Sequence, residues 1–220
     1  MSKYDVIAFD LDGTLTDPAP GLTSGFEYCF KKLGLSYSSS EGLRKYIGPS
    51  LFELWQEDFG LTPDQSNDAI MVFREYYNIY GWWDNSPYDG IHEVLQGLKD
   101  AGKTLVLATS KPIETARSVL KLFKLTDYFD YVGGAYSHKR DKKCEVLQDS
   151  LTAVGVDIND KAALARCILV GDRCYDAEGA KIVGIDSMGV LWGHGTYEEI
   201  MSSGFTLTAA TVGDVLKTLK

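Results

Sequence analysis

The most constraining feature of this sequence is a set of short, unbroken apolar runs that each stop at a polar residue. Val6-Ile7-Ala8-Phe9 stops at Asp10, Leu105-Val106-Leu107-Ala108 at Thr109-Ser110, and Ile168-Leu169-Val170 at Gly171-Asp172. A strand with one wet face alternates apolar and polar residues. A continuous apolar run marks a strand covered on both faces, as in a parallel sheet. Between the later runs the period changes to that of a helix. Ile91, Val94, Leu95 and Leu98 keep i, i+3, i+4, i+7 spacing ahead of Ala101-Gly102. Ala116, Val119, Leu120 and Phe123 repeat it behind Pro112, and Cys144, Leu147, Leu151 and Val154 repeat it ahead of Gly155. Strands alternating with helices predict right-handed βαβ units and an α/β fold, a doubly wound, Rossmann-like parallel sheet. A short strand and a last helix around Val215 and Leu219 are expected after Gly204.

The stretch from Pro18 to Asn85 has no such strand run. Phe26, Cys29, Phe30 and Leu33 share one helical face before Gly34. Leu51, Leu54 and Trp55 outline a second helix, and Ile70, Phe73 and Tyr77 a third. The chain therefore divides into a core of 1–15 and 86–220 and a small inserted α-helical cap domain over 16–85. The aromatic cluster Tyr76, Tyr77, Tyr80, Trp82 and Trp83 fits core or interdomain packing better than a cofactor box.

Asp10-Leu11-Asp12-Gly13-Thr14 at the end of the first strand carries the chemistry. In open α/β sheets sites form beyond the carboxyl ends of the strands. Two carboxylates two residues apart, followed by a tight Gly-Thr turn, supply a nucleophile, a neighbouring acid/base and oxygen ligands for a hard cation. An ordinary acidic turn is the alternative.

The string Asp10-Leu11-Asp12-Gly13-Thr14 resembles the first motif of the haloacid dehalogenase superfamily of phosphotransferases, and the resemblance continues in family order. Thr109 in Ala108-Thr109-Ser110-Lys111-Pro112 is similar to the second motif. Lys143, opening Lys143-Cys144-Glu145-Val146-Leu147, matches the third better than Lys142 does. Gly171-Asp172-Arg173-Cys174-Tyr175-Asp176 matches the fourth. The resemblance implies phosphoryl transfer with Mg²⁺. Asp10 would be the nucleophile and Asp12 the acid/base. Thr109, Ser110 and Gly13 would bind phosphate, and Lys143 would neutralise nucleophile and phosphate together. Asp10, Asp172, the backbone carbonyl of Asp12 and, through water, Asp176 would hold the metal. An insert at this position resembles the helical cap of phosphoglycolate phosphatases, β-phosphoglucomutases and nucleotidases. Ile47-Gly48-Pro49-Ser50-Leu51 resembles the cap loop of the phosphoglycolate-phosphatase-like group, and the stretch from Gly184 to Gly195 a bacterial group labelled 5′-nucleotidase or phosphoglycolate phosphatase.

Arg44, Lys45 and Arg74 are cationic candidates for a distal charge on the substrate, or else part of a solvated helix face. Lys111 is expected to touch phosphate or to pair with Glu114. His92 reads as structural, and His138 and His194 as loop residues near the site. A net charge of −9 argues against a nucleic-acid polymer or an anionic membrane as partner. The partner implied is a small phosphorylated metabolite: phosphoglycolate, a nucleoside monophosphate or a sugar phosphate. Four scattered cysteines without C-x-x-C spacing and a start without an apolar leader fit a cytoplasmic protein, as monomer or homodimer. A phosphomutase, or a silent binding protein on the same fold, is the competing reading. Asp12 speaks against a dehalogenase.

Overall fold

The computed structural model describes residues 2–48, 50–136 and 142–220. Pro49 of the Ile47–Leu51 stretch and the run His138-Lys139-Arg140-Asp141 lie outside the described residues. Six parallel strands form the central sheet in the order β5-β4-β1-β6-β7-β8. They are β1 (Val6–Phe9), β4 (Thr104–Pro112), β5 (Tyr131–Ala135), β6 (Cys167–Gly171), β7 (Asp186–Val190) and β8 (Leu207–Ala209). β1 lies between β4 and β6, with Phe9 in register with Leu107 on one side and Val170 on the other. Its carboxyl end is therefore the middle of the sheet's edge, flanked by the ends of both neighbours.

Strand alternation sorts the apolar side chains onto two helical layers. Ile7 and Phe9 join Leu105, Leu107, Ile168 and Val170 in a cluster with α4 (Ile91–Asp100), α5 (Ile113–Leu122) and α10 (Val212–Leu219). Ala8 points the other way. It packs with Val106, Ala108 and Leu169 against α6 (Lys143–Ala153), α7 (Lys161–Leu164) and α8 (Cys174–Val183). A sheet covered on both faces is why its runs carry no polar alternation. The remaining core helix, α9 (Tyr197–Ser202), follows β7.

Between β1 and α4 the chain leaves the sheet. It crosses through β2 (Thr16–Asp17) and returns through β3 (Ser86–Pro87), which pair antiparallel. The intervening residues form α1 (Ala19–Leu33), a 3₁₀ segment (Glu41–Tyr46), α2 (Leu51–Glu57), α3 (Pro63–Tyr76) and a π-helical turn (Tyr77–Gly81). They build a separate core around Phe26, Phe30, Trp55, Ile70 and Phe73. The rings pack at an angle, as Phe30 on Trp55 at 5.6 Å and 69° shows. α3 begins in a reciprocal Thr62–Gln65 capping box. Of the aromatic cluster, Tyr77 is buried in this core, whereas Tyr80 and Trp83 are exposed.

Two local expectations are corrected. β4 does not stop at Ala108 but runs on to Pro112, because an irregularity resets its register: Ala108 faces Gly133 and Pro112 faces Ala135. Three residues, Thr109 to Lys111, thus stand opposite the single residue Gly134, a bulge that re-aims their side chains. Lys111 does not pair with Glu114. That carboxylate faces Arg117 at 3.3 Å. Among the described residues, no helix is long and apolar enough to cross a membrane.

Candidate active site

Asp10 ends β1, and its backbone N–H still belongs to the sheet, donating to Val170 O at 2.9 Å. The chain then turns sharply. Leu15 and Thr16 N–H both donate to Leu11 O, and Gly13 takes φ +82°, a left-handed conformation that favours glycine. Gly13 also has no room for a side chain, since a β-carbon there would fall 2.0 Å from Asp172 Oδ2. Gly193, on the other side, is equally tight at 2.3 Å from Asp172 Cβ. The Asp172 carboxylate is thus wedged between two glycines. It accepts from Thr14 Oγ1 at 3.3 Å and from the His194 N–H at 2.7 Å.

Asp176 sits in the first turn of α8, where its Oδ2 accepts the backbone N–H groups of Asp172 and Arg173, both at 3.1 Å. The helix N-terminus favours a negative charge there. Asp10, Asp172 and Asp176 are all buried, and one oxygen of each lies within 4.8 Å of the others. Among the described residues a single ammonium faces them. Lys143, opening α6, lies 2.7 Å from Asp10 Oδ1 and 2.9 Å from Asp176 Oδ1, and donates to Ala108 O at 3.1 Å.

The electrostatics follow from that ratio. Burial pushes the Lys143 ammonium down, but Asp10 and Asp176 outweigh it and hold it above its ordinary range. Burial, then Asp176 and Asp10, drive Asp172 well above the usual carboxylate range. Among the described residues, three carboxylates in their ionised forms face one ammonium, a deficit of two positive charges. A divalent cation with oxygen ligands fits both the deficit and the donor set. The glycines that clear space around Asp172 fit it as well.

Asp12 is not part of this cluster. Its Oδ2 lies 2.6 Å from Lys111 Nζ, which also donates to the Tyr77 hydroxyl at 2.8 Å. Burial lowers the Lys111 ammonium, yet Asp12 and Tyr77 together raise it above its ordinary range. Among the described residues Asp12 Oδ1 has no hydrogen-bond partner. The two carboxylates of one turn therefore serve separate environments, each with its own buried ammonium.

Above them lies a cavity of about 330 Å³ whose lining includes Asp10, Asp12, Thr109, Ser110 and Lys111 from the core and Arg74 from α3. Thr109 is buried, and its Oγ1 accepts the Lys111 N–H at 3.3 Å. Arg44 and Lys45 do not line the cavity. Arg44 pairs with Glu41 at 3.1 Å, and the Lys45 ammonium lies 4.7 Å from the Tyr46 ring centroid. Lys142 is only the N-cap of α6. His92 faces the Tyr128 hydroxyl at 3.2 Å and is not among the residues lining the cavity. Burial lowers the His194 imidazole, against the pull of Asp17.

Three features escaped the sequence reading. Tyr77 joins the site because the π-helical turn carries it over Lys111, and no pattern marks that. Trp192 Nε1 ties the end of β7 to Thr14 O at 3.2 Å. Arg173, adjacent to Asp172, donates to Ile47 O of the inserted segment and pairs with Glu199 at 2.9 Å.

A family model described as haloacid dehalogenase-like hydrolase matches residues 7–190. The chain is 33% identical to a 5′-nucleotidase of Pseudomonas aeruginosa, over 90% of this chain and 87% of the relative. It is 34% identical to the tyrosine-protein kinase PtkA of Mycobacterium tuberculosis, over 97% of this chain and 72% of the relative. Against a phosphoglycolate phosphatase of Aquifex aeolicus the identity is 30%, over 86% and 85%. A crystal structure described as a predicted phosphatase from Clostridium acetobutylicum superposes with a TM-score of 0.91, at 34% identity, covering 97% of both chains.

Proposed function

The chain belongs to the haloacid dehalogenase-like hydrolase family and is a phosphatase, and on that premise we propose that it hydrolyses a small phosphate monoester through a phosphorylated Asp10, with Mg²⁺ as cofactor. The observation that carries this reading is the division of labour between Asp10 and Asp12. One carboxylate sits among Asp172, Asp176 and Lys143; the other belongs to a residue lining the cavity, and among the described residues its Oδ1 has no hydrogen-bond partner.

Asp10 attacks phosphorus with a carboxylate oxygen. A bond forms between that oxygen and phosphorus while the bond from phosphorus to the ester oxygen breaks. The departing oxygen takes a proton from Asp12, which then removes one from the water that attacks the same phosphorus and frees Asp10. Lys143, 2.7 Å from Asp10, offsets negative charge on nucleophile and phosphoryl group in both steps. Thr109 and Ser110 line the cavity, and their hydroxyls would orient phosphoryl oxygens. When bound, Mg²⁺ would be held by Asp10 and Asp172, with Asp176 behind them, and would neutralise charge that develops on the phosphoryl oxygens. Most of the catalysis asked of this site is positioning and charge stabilisation.

The partner in this reading is a small phosphorylated metabolite, not a nucleic-acid polymer or a membrane; the chain works in the cytoplasm as a monomer or homodimer. The test is turnover of a panel of phosphate esters with Mg²⁺ and with excess chelator, on the native chain and on Asp10→Asn. Mg²⁺-dependent phosphate release that Asp10→Asn abolishes is the expected result. Full activity in chelator, or near-native rates in Asp10→Asn, overturns the mechanism. A sugar phosphate in the panel reports isomerisation in place of hydrolysis.

A further inference from the structure

The cavity that has Asp10 and Asp12 at its floor is walled above by rings. Phe26, Tyr46, Phe52, Phe73 and Tyr77, with Ile47, come from five different segments of the insert and line one space. Charge is scarce there. Lys111 is already bound to Asp12 at 2.6 Å, and Arg44 and Lys45 lie outside the lining. Arg74 is the one remaining cation in the lining among the described residues.

This distribution constrains the alcohol half of the substrate. Phosphorus must come within reach of Asp10, and the ester oxygen must meet Asp12. Whatever the ester oxygen carries then projects into the aromatic chamber. A second anionic group on so short a tether as two carbons would lose its hydration against apolar walls. A flat uncharged ring would gain offset and edge-on contacts from several directions. Arg74 and Asn78, both in the lining, supply donors and an acceptor for ring heteroatoms.

We propose that Phe52, Tyr46, Phe73 and Tyr77 form a leaving-group subsite for an aromatic ring, so that the substrate is a phosphate monoester of a ring-bearing alcohol and not a small phosphorylated carboxylate. This rests on the hydrolase reading above and specifies its substrate. The ring has two possible sources, a heteroaromatic base carried on a sugar or an aryl group on a short alcohol.

Two matched pairs of esters test it. Adenosine 5′-monophosphate and ribose 5-phosphate both release a primary alcohol and differ in the base. Benzyl and ethyl phosphate differ in the aryl ring. The expected result is kcat/KM at least about tenfold higher for the ring-bearing member of one pair, with 2-phosphoglycolate a poorer substrate than that member. Preference confined to the first pair identifies the base on a sugar; confined to the second, the aryl group. Phe52→Ala should reduce the preference ratio severalfold, and Phe52→Trp should retain it. The inference is overturned if neither ring-bearing ester is preferred, if phosphoglycolate is the best of the five, or if Phe52→Ala leaves the ratio intact. All three results leave a working phosphatase. Turnover of none of the five above the Asp10→Asn background would instead overturn the hydrolase reading beneath it.

Discussion

Lys111 Nζ lies 2.6 Å from Asp12 Oδ2, and both side chains are largely withdrawn from water. The pair joins the first turn of the core to the inserted helices, because the same ammonium reaches the Tyr77 hydroxyl. In a buried pair most of the cost of removing one partner is the charge left behind. Lys111→Met should therefore cost about 3 kcal/mol of folding stability in urea denaturation. Adding Asp12→Asn should recover most of that loss, since no orphaned charge remains. Additive losses in the double variant would show that the pair is not coupled.

Asp12→Asn should separate the two chemical steps. Loss of proton transfer should slow hydrolysis of alkyl phosphates by about 10²–10⁴-fold. An ester with a good leaving group needs no proton in the first step, so its initial phosphoryl transfer should be spared. Breakdown of the phosphoenzyme then limits, and phosphate should accumulate on Asp10, visible as a mass increase of the intact protein. Equal slowing of good and poor leaving groups with no trapped phosphate would remove Asp12 from the acid role.

The acidic cluster makes folding depend on cation and pH. Burial, Asp176 and Asp10 hold Asp172 above its unfolded range, so without a cation the folded state binds that proton more tightly than the unfolded chain does. Stability of chelated protein should thus fall as pH rises above about 3.9, the unfolded value, toward the folded one. Near neutral pH in chelator Asp172→Asn should melt higher than the native chain. With Mg²⁺ the order should reverse, because only the native cluster gains binding energy. Thermal melts in chelator and in Mg²⁺ read both signs.

Glu199 titrates with the opposite sign. Burial pushes its carboxyl up, but the Cys174 N–H at 2.9 Å and the Arg173 guanidinium outweigh that and leave it below the ordinary range. Its contribution is present above the unfolded value of about 4.3 and is lost as pH falls through the lower folded value. Glu199→Gln should be less stable than the native chain near pH 7. The gap should close in acid, as denaturant midpoints measured across that range would show.

Much of this molecule was readable from local pattern. The buried strands announced themselves because a sheet covered on both faces requires uninterrupted apolar runs, and Asp10, Thr109 and Asp172 were found because each follows such a run. Lys143 was legible from the helix period it opens. What the pattern did not contain was direction. The extension of β4 into a bulge depends on its pairing with β5, and that bulge aims Lys111 at Asp12 and away from Glu114. Tyr77 reaches Lys111 across 34 positions of sequence, and Arg173 reaches Ile47 across 126. Arg44, Lys45 and Arg74 looked alike as cations on helical segments, and only packing of the inserted helices put Arg74 into the cavity lining and left the other two out. Residue type and period are local properties, so the sequence by itself determined the sheet, its helices and the carboxylates at its edge. Which ammonium faces which carboxylate, and which rings close over them, are set by contacts between distant segments, and only the tertiary structure decided those.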